Sequence, residues 1–182
     1  MCYLKKCKIK SPFGIWNVES CQEGLHKLSL VEITDLDTSI QVDIAGVKPN
    51  SVCLTLVEWM SAYFENIFKV KTMKLPPVCQ SIFQAGRFRE KVWQEIYENL
   101  HIGETASYGE IARRVGSPGA SQAVGTAMKN NPISLVIPCH RVVKAGGEPG
   151  HYHGGTRDLM KVWLLEHEEN CSNNIIVQKI IL

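Results

Sequence analysis

No arginine precedes Arg87; all six, Arg87, Arg89, Arg113, Arg114, Arg141 and Arg157, lie in the second half, and the first half carries its positive charge on lysine. Arginine is the better fork for phosphate, so the second half is the more suitable nucleic-acid face, although a count this small also skews by chance. No apolar run approaches the ~18 residues of a membrane span. Residues 1–6 lack the charged-then-apolar order of a secretory leader, so an intracellular protein is expected. The seven cysteines do not make an even set. In a reducing compartment that argues against a disulfide framework and leaves metal binding, catalysis and core packing. The net charge of +2 is too small to demand a polyanionic partner. A GxxxxGK[ST] phosphate loop, internal repeats and low-complexity tracts are all missing.

What is present divides into a β-rich first half and a helical second half. Residues 3–10 and 15–19 read as strands around Ser11-Pro12-Phe13-Gly14, a turn by composition. Leu25, Leu28, Leu30 and Ile33 mark a third β segment, and residues 34–51 read as loop with a short extended piece near 40–44. Over residues 52–70 the apolar spacing turns helical: Leu56, Met60, Tyr63 and Ile67 share a face, with Ser51 as N-cap. Lys74-Leu75-Pro76-Pro77 then opens a linker reaching about Gly86, so two domains are expected, 1–85 and 86–182. In the second, Phe88, Val92, Ile96 and Leu100 recur every four residues, with Gly103 as terminator. Ser107 and Glu110 fit a capping box. After Gly116-Ser117-Pro118-Gly119 a second helix is expected over residues 120–129, which gives a helix-turn-helix outline that any αα-hairpin shares. This helix is built of small residues, and Gly125 inside it costs ~1 kcal/mol against alanine. Close approach to a narrow groove and tight packing on a neighbouring helix both account for it. A last helix is expected from Thr156 to about Glu169, and the apolar tail 175–182 reads as an edge strand.

The chemistry concentrates in Asn131-Pro132-Ile133-Ser134-Leu135-Val136-Ile137-Pro138-Cys139-His140-Arg141-Val142-Val143. Residues 133–137 read as a short buried strand. A cysteine beside a histidine is a candidate nucleophile, because the thiolate attacks and a nearby imidazole favours it. Successive strand side chains point apart, so the two meet only if the chain turns, which Pro138 promotes. On these residues alone a buried structural cysteine and a metal ligand stay open. The Gly-rich stretch 144–155 contains Tyr152 and reads as a mobile pocket wall. Cys21 and His26 make a Cys-x4-His pair, by itself a weak metal signal.

In order, the Tyr108 helix, Ala123-Val124-Gly125-Thr126-Ala127-Met128, Asn131-Pro132, Ile137-Pro138-Cys139-His140-Arg141-Val142-Val143, the Tyr152 loop and Trp163-Leu164-Leu165-Glu166-His167-Glu168 resemble the O6-alkylguanine-DNA alkyltransferase family, which repairs DNA in single turnovers. The likeness runs over nearly the whole chain and is densest over residues 103–168. It implies an α+β or α/β chain of two domains: a small N-terminal sheet with a helix, ribonuclease H-like, and a mostly helical C-terminal domain with a winged-helix-like helix-turn-helix. It implies irreversible transfer of an alkyl group from O6 of guanine, and more weakly from O4 of thymine, in double-stranded DNA to Cys139. Minor-groove binding and base flipping precede the transfer, and no catalytic cofactor is used.

Carried over residue by residue, Cys139 is the nucleophile, His140 its base through a water, Glu168 the orienter of His140, and Asn131 a brace for the turn. Tyr108 rotates the nucleotide and serves as proton donor to the guanine ring. The implied DNA contacts are Arg89, Tyr108, Gly109, Ser117, Gln122, Ala123, Ala127, Lys129, Arg141 and Ala145; the implied guanine pocket is Val142, Tyr152, His153 and Gly154. Gln122 departs from the arginine that many relatives insert into the base stack, so a weaker attraction to duplex DNA is expected. Some animal relatives hold a structural zinc, which implies Cys2, Cys21, His26 and Cys79 as ligands, Cys79 standing where those have histidine. A Cys3His set suits tetrahedral zinc. The resemblance further implies a monomer, cooperative on DNA, nuclear in a eukaryote and in the cytoplasm or nucleoid otherwise, with no membrane partner.

Three readings compete. A non-catalytic lesion-binding relative would lack the reactive cysteine. A helix-turn-helix regulator would call for an effector domain and base-reading side chains, which residues 120–129 do not offer. A Cys/His hydrolase would turn over, whereas alkyl transfer stops after one event.

Overall fold

The structure, a computed structural model, describes residues 2–32, 41–43 and 50–172. Strands β1 (Lys5–Ser11), β2 (Gly14–Ser20), β3 (Leu25–Glu32) and β4 (Gln41–Asp43) form an antiparallel sheet in the order β3-β2-β1-β4. Alternation builds it: Gly14, Trp16, Val18 and Ser20 of β2 are buried while the residues between them are half-buried. Trp16 donates its indole N–H to Ser11 Oγ at 2.8 Å, so the ring is buried without an unmet donor. Helix α1 (Ser51–Glu65) packs on β1 and β2. Its N-cap is Asn50 rather than Ser51. Asn50 Oδ1 accepts from Cys53 N at 2.9 Å, and Nδ2 donates to Cys21 O at 2.8 Å, so one side chain caps the helix and ties it to the end of β2. The helix expected to run to residue 70 breaks at Asn66 (φ −150°, ψ 80°), whose side chain caps the short α2 (Ile67–Val70). The extended piece near 40–44 is β4; most of the expected 34–51 loop and the tail 175–182 lie outside the described residues.

Strand β3 is at the sheet's edge, and parts of its outer side are hydrogen-bonded. Leu25 N donates to Pro77 O and Cys79 N to Leu25 O, at 2.8 and 3.0 Å; Leu28 N donates to Pro132 O and Ser134 N to Leu28 O, at 2.9 and 3.0 Å. The first pair draws the expected linker onto the sheet, and the second docks the C-terminal half on it. The first needs glycine at 24, where a Cβ would overlap the backbone of Val78 and Cys79.

In the second half α3 (Phe88–Asn99), α4 (Tyr108–Arg114) and α5 (Ser121–Lys129) pack together, and α6 (Asp158–Ser172) closes the unit. α3 stops before Gly103, with Leu100 as its C-cap. The capping box at α4 is formed: Ser107 N donates to Glu110 Oε2 at 2.6 Å and Glu110 N to Ser107 Oγ at 3.2 Å. α5 begins after Ala120, and α6 begins later and ends later than its sequence limits suggested.

Residues 133–137 are not a strand. They are buried, but Ile137 N donates back to Ile133 O at 2.9 Å, and Leu135 has φ 74°. A leucine in the left-handed region costs about 1–2 kcal/mol, which burial of its side chain offsets. The apolar run therefore makes a tight reversal, which periodicity alone cannot tell from a buried strand. No helix among the described residues is long and apolar enough to cross a membrane.

Candidate active site

Two devices place Cys139. The reversal at 133–137 delivers the chain into a 3-10 turn, Cys139–Arg141, so that Cys139 and His140 leave it in different directions. Strand β6 (Val142–Val143) then pairs in parallel with β5 (Ala106–Ser107), which sets the first residue of α4, Tyr108, beside that turn. Asn131 braces it: Nδ2 donates to Ile137 O at 2.8 Å and to Cys139 Sγ at 3.1 Å, while Oδ1 accepts from Ile133 N at 3.0 Å. Cys139 is 2 % exposed, and Tyr152 Oη lies 4.0 Å from its sulfur. Burial pushes the thiol up; Asn131, Tyr152 and the Lys161 ammonium oppose this without reversing it. The resting group is a thiol and must lose a proton to react.

His140, next in the chain, is held in one form. It is fully buried, and its Nε2 is 2.8 Å from Glu168 Oε1. Burial pushes the imidazole down, against the opposing pull of Glu168, which keeps it neutral. Burial works to raise the Glu168 carboxyl, but the Arg141 guanidinium and His140 outweigh it and hold Glu168 well below the usual carboxylate range. An ionised carboxylate only accepts, so Nε2 carries the imidazole proton and Nδ1 carries the lone pair. Nδ1 is buried and has no hydrogen-bond partner among the described residues. Among the described residues no hydrogen bond joins Cys139 to His140, so the two neighbours in sequence do not touch as a pair.

Arg141 is a correction to its expected role on DNA. It is 3 % exposed and grips Glu168 with both arms, Nε to Oε2 at 2.7 Å and Nη2 to Oε1 at 2.9 Å, while Nη1 donates to Leu100 O at 2.7 Å. Arg141 follows His140 in the 3-10 turn, and this placement turns its guanidinium inward. Ala127 is likewise buried at 1 %, its carbonyl accepting from Trp93 Nε1 at 2.8 Å, so it faces the core instead of a groove. On the outer side of α5, Gln122, Ala123 and Lys129 are exposed, as are Arg89 and Ala145; Gly109 and Ser117 are half-buried. Arg89 lies over the Trp93 ring at 5.7 Å.

A cavity of about 500 Å³ opens above Cys139, walled by Tyr108, Gly125, Tyr152 and Gly154, with Gln122 and Lys129 among the residues around it. A Cβ at Gly125 would come no closer than 4.0 Å to Tyr108, an ordinary contact, so packing within the protein does not require glycine there. Helix packing accounts for the small side chain at Ala127, which is buried beside Trp93, and leaves Gly125 to a different cause. Val142 is buried, and its carbonyl accepts from Lys161 Nζ at 2.7 Å. His153 lies in a 3-10 turn of the loop.

The sequence reading missed Lys161. It is 1 % exposed; its Nζ donates to Val142 O at 2.7 Å and lies 3.5 Å from Tyr108 Oη. Burial pushes its ammonium down to about 8, and Cys139 and Asp158 pull the other way. The signal was there: Lys161 shares the inward face of α6 with Leu164 and Glu168 at positions i, i+3 and i+7. Burial raises the Tyr108 phenol, with Cys139 and Asp158 adding to it, so it stays a proton donor.

Cys2, Cys21, His26 and Cys79 meet away from this site, their ligand atoms all within 4.8 Å of one another. His26 Nε2 is buried and without a hydrogen-bond partner among the described residues, and Cys2 Sγ is 3.9 Å from Cys79 Sγ.

Residues 87–170 match the family model described as 6-O-methylguanine DNA methyltransferase, DNA binding domain. The chain is 35% identical over 175 residues to the methylated-DNA–protein-cysteine methyltransferase of Mus musculus, covering 92% of this chain and 82% of that protein. Among solved structures it resembles the Mycobacterium tuberculosis O6-methylguanine methyltransferase, with TM-score 0.70, 29% identity, and 92% and 94% of the two chains covered. It also resembles Mycobacterium tuberculosis OGT in complex with DNA, with TM-score 0.66, 30% identity, and 90% and 92% covered.

Proposed function

Because the chain belongs to the methylated-DNA–protein-cysteine methyltransferase family, we propose that it repairs O6-alkylguanine in DNA by transferring the alkyl group to Cys139. The family works by direct transfer without a cofactor. The observation that supports the assignment of residues is a buried thiol lining a cavity roomy enough for a nucleobase, next in sequence to a neutral imidazole held by a buried carboxylate.

The helix-turn-helix of α4 and α5 docks in the minor groove, its small outer residues allowing backbone approach, with Arg89, Ser117, Lys129 and Ala145 on the DNA backbone. Gln122 hydrogen-bonds the orphaned base without the cationic attraction of an arginine. The target guanine rotates out, past Tyr108, into the cavity beside Tyr152. His140 Nδ1 takes the Cys139 proton through a water. The thiolate sulfur then forms a bond to the alkyl carbon as the carbon–O6 bond breaks, and the electron pair goes to the guanine. Tyr108 donates a proton to the ring, so the leaving group departs neutral. The product is a thioether that water cannot release, and each chain reacts once. O4-alkylthymine is a weaker substrate of the same cavity. The N-terminal sheet with α1 is ribonuclease H-like and the DNA-binding unit winged-helix-like; the protein acts as a monomer, cooperatively on DNA, in the compartment that holds the genome.

Incubation with O6-benzylguanine is expected to add a single benzyl group, found on Cys139 by peptide mass spectrometry and missing in Cys139→Ala. Continued release of product, or an adduct elsewhere, overturns the reading in favour of a hydrolase or a binding protein.

Cys2, Cys21, His26 and Cys79 fit zinc: three thiols and one imidazole converge, and the buried Nε2 of His26 has no hydrogen-bond partner among the described residues. Zinc there would tie the ends of β2 and β3 to the 77–79 segment and would take no part in alkyl transfer. Freshly purified protein is expected to hold about one zinc per chain, and Cys79→Ala to lose it together with thermal stability. Metal-free protein at purification sinks this assignment.

A further inference from the structure

The relay around Cys139 contains a group from the other half of the chain. Tyr63 sits on α1, 105 residues before Glu168, and is fully buried. Its Oη is 2.6 Å from Glu168 Oε1, the same oxygen that faces His140 Nε2 and Arg141 Nη2. Since Glu168 is ionised, Tyr63 must be the donor. The ring is fixed from two sides. It stacks on Trp59 at 5.1 Å, and its backbone carbonyl lies 2.6 Å from His167 Nε2, one residue before Glu168.

We propose that Tyr63 is a positioning residue for alkyl transfer, holding the Glu168 carboxylate against His140 and setting how much of its negative charge the imidazole feels. Glu168 offers about four lone-pair sites, and five donors converge on it: Tyr63, His140, the two arms of Arg141, and Gly103 N at 3.3 Å. Each donor draws charge from the oxygen it meets. Tyr63 and Arg141 share Oε1 with His140, so they hold the imidazole less basic than a lone His–carboxylate pair would be. A base that stays neutral at physiological pH is what proton removal from Cys139 needs. The other charged groups felt at His140 are Arg141, next to it in the turn, and Lys161, from α6, both of which disfavour its cation. Tyr63 is the contribution of α1. The N-terminal half thereby tunes chemistry performed in the C-terminal half.

This rests on Cys139 being the alkyl acceptor and His140 its base. The test follows the rate of benzyl transfer from O6-benzylguanine against pH, in wild type, Tyr63→Phe and a protein with 3-fluorotyrosine at position 63. Transfer fails on the acid side as His140 becomes protonated. Without the Tyr63 donor the imidazolium is better stabilised, so in Tyr63→Phe the acid limb is expected to move to higher pH by about half a unit or more. The fluorinated phenol is a stronger donor, keeps the ring and the fold, and is expected to move the limb the opposite way. Met60→Leu, a buried change on the same helix at a side chain with no hydrogen-bond donor for Glu168, serves as the control and is expected to alter stability without moving the limb. If wild type takes no benzyl group at all, the proposed function fails. If wild type reacts and both Tyr63 variants keep its acid limb, Tyr63 is only a packed core residue and this inference alone is overturned.

Discussion

Arg141→Met is expected to lose about 3–5 kcal/mol of folding stability, because it strands an ionised carboxylate in the interior. In a chain of this length that is a fall in melting temperature of roughly 6–20 °C. Arg141 fills two of the positions around Glu168 and satisfies Leu100 O as well, all within a few per cent of full burial. With the guanidinium gone, burial dominates Glu168 and its carboxyl rises. The wild-type contribution of Glu168 comes from a depressed folded value. It is fully present above the unfolded value near ~4.3 and is lost only as pH falls through the lower folded value. The variant has given up that contribution already at neutral pH, and its melting temperature is expected to fall less steeply on acidification. Benzyl transfer should fail with it, since His140 loses the oriented acceptor that fixes its tautomer. Adding Glu168→Gln to Arg141→Met removes the stranded charge and is expected to recover part of the stability but none of the transfer. A single variant within about 1 kcal/mol of wild type would show that the pair behaves like an exposed one.

The second large effect belongs to rate. Lys161→Met is expected to slow benzyl transfer at neutral pH by about 10–100-fold while shifting the melting temperature little. The ammonium favours the Cys139 thiolate and bonds the Val142 carbonyl beside the cavity, next to Tyr108 Oη. Its folded value of about 8 lies below the ~10.4 of an unfolded lysine. The sign follows: below about 8 both states hold the proton, and between the two values the unfolded chain holds more of it. Fold stability therefore rises with pH through that window while the cation that assists transfer is lost. Wild-type transfer is expected to level off or decline above pH 8, and Lys161→Met to lack that feature. A variant that reacts at the wild-type rate removes Lys161 from the mechanism.

The sequence announced its strands through period-two burial and its cysteine through the motif around it. Trp16 and Val18 face inward, as alternation requires, and Ser107 and Glu110 close their capping box. What escaped depends on backbone reversal and on long-range meeting. Residues 133–137 are as apolar as any buried strand, and only the left-handed Leu135 shows the chain turning back. Arg141 looked like a phosphate ligand because arginine usually is one; its inward aim follows from the 3-10 turn, which has no periodic signature. Tyr63 read as one more apolar position on α1, since a tyrosine's hydroxyl adds nothing to a hydrophobic pattern. Gln122 and Lys129, which the family resemblance singled out, are exposed on α5.

The bonds between β3 and the rest of the chain have a consequence for self-association. An edge strand presents unpaired amides and carbonyls that another copy can extend, the usual start of strand-by-strand aggregation. Here Leu28 is paired with Pro132 and Ser134, the beginning of the reversal that aims Cys139, and Leu25 is paired with the segment that brings in Cys79. The turn that positions Cys139 also guards part of the β3 edge of the sheet. Unfolding of the second half would break these bonds and uncover a template for recruiting further chains.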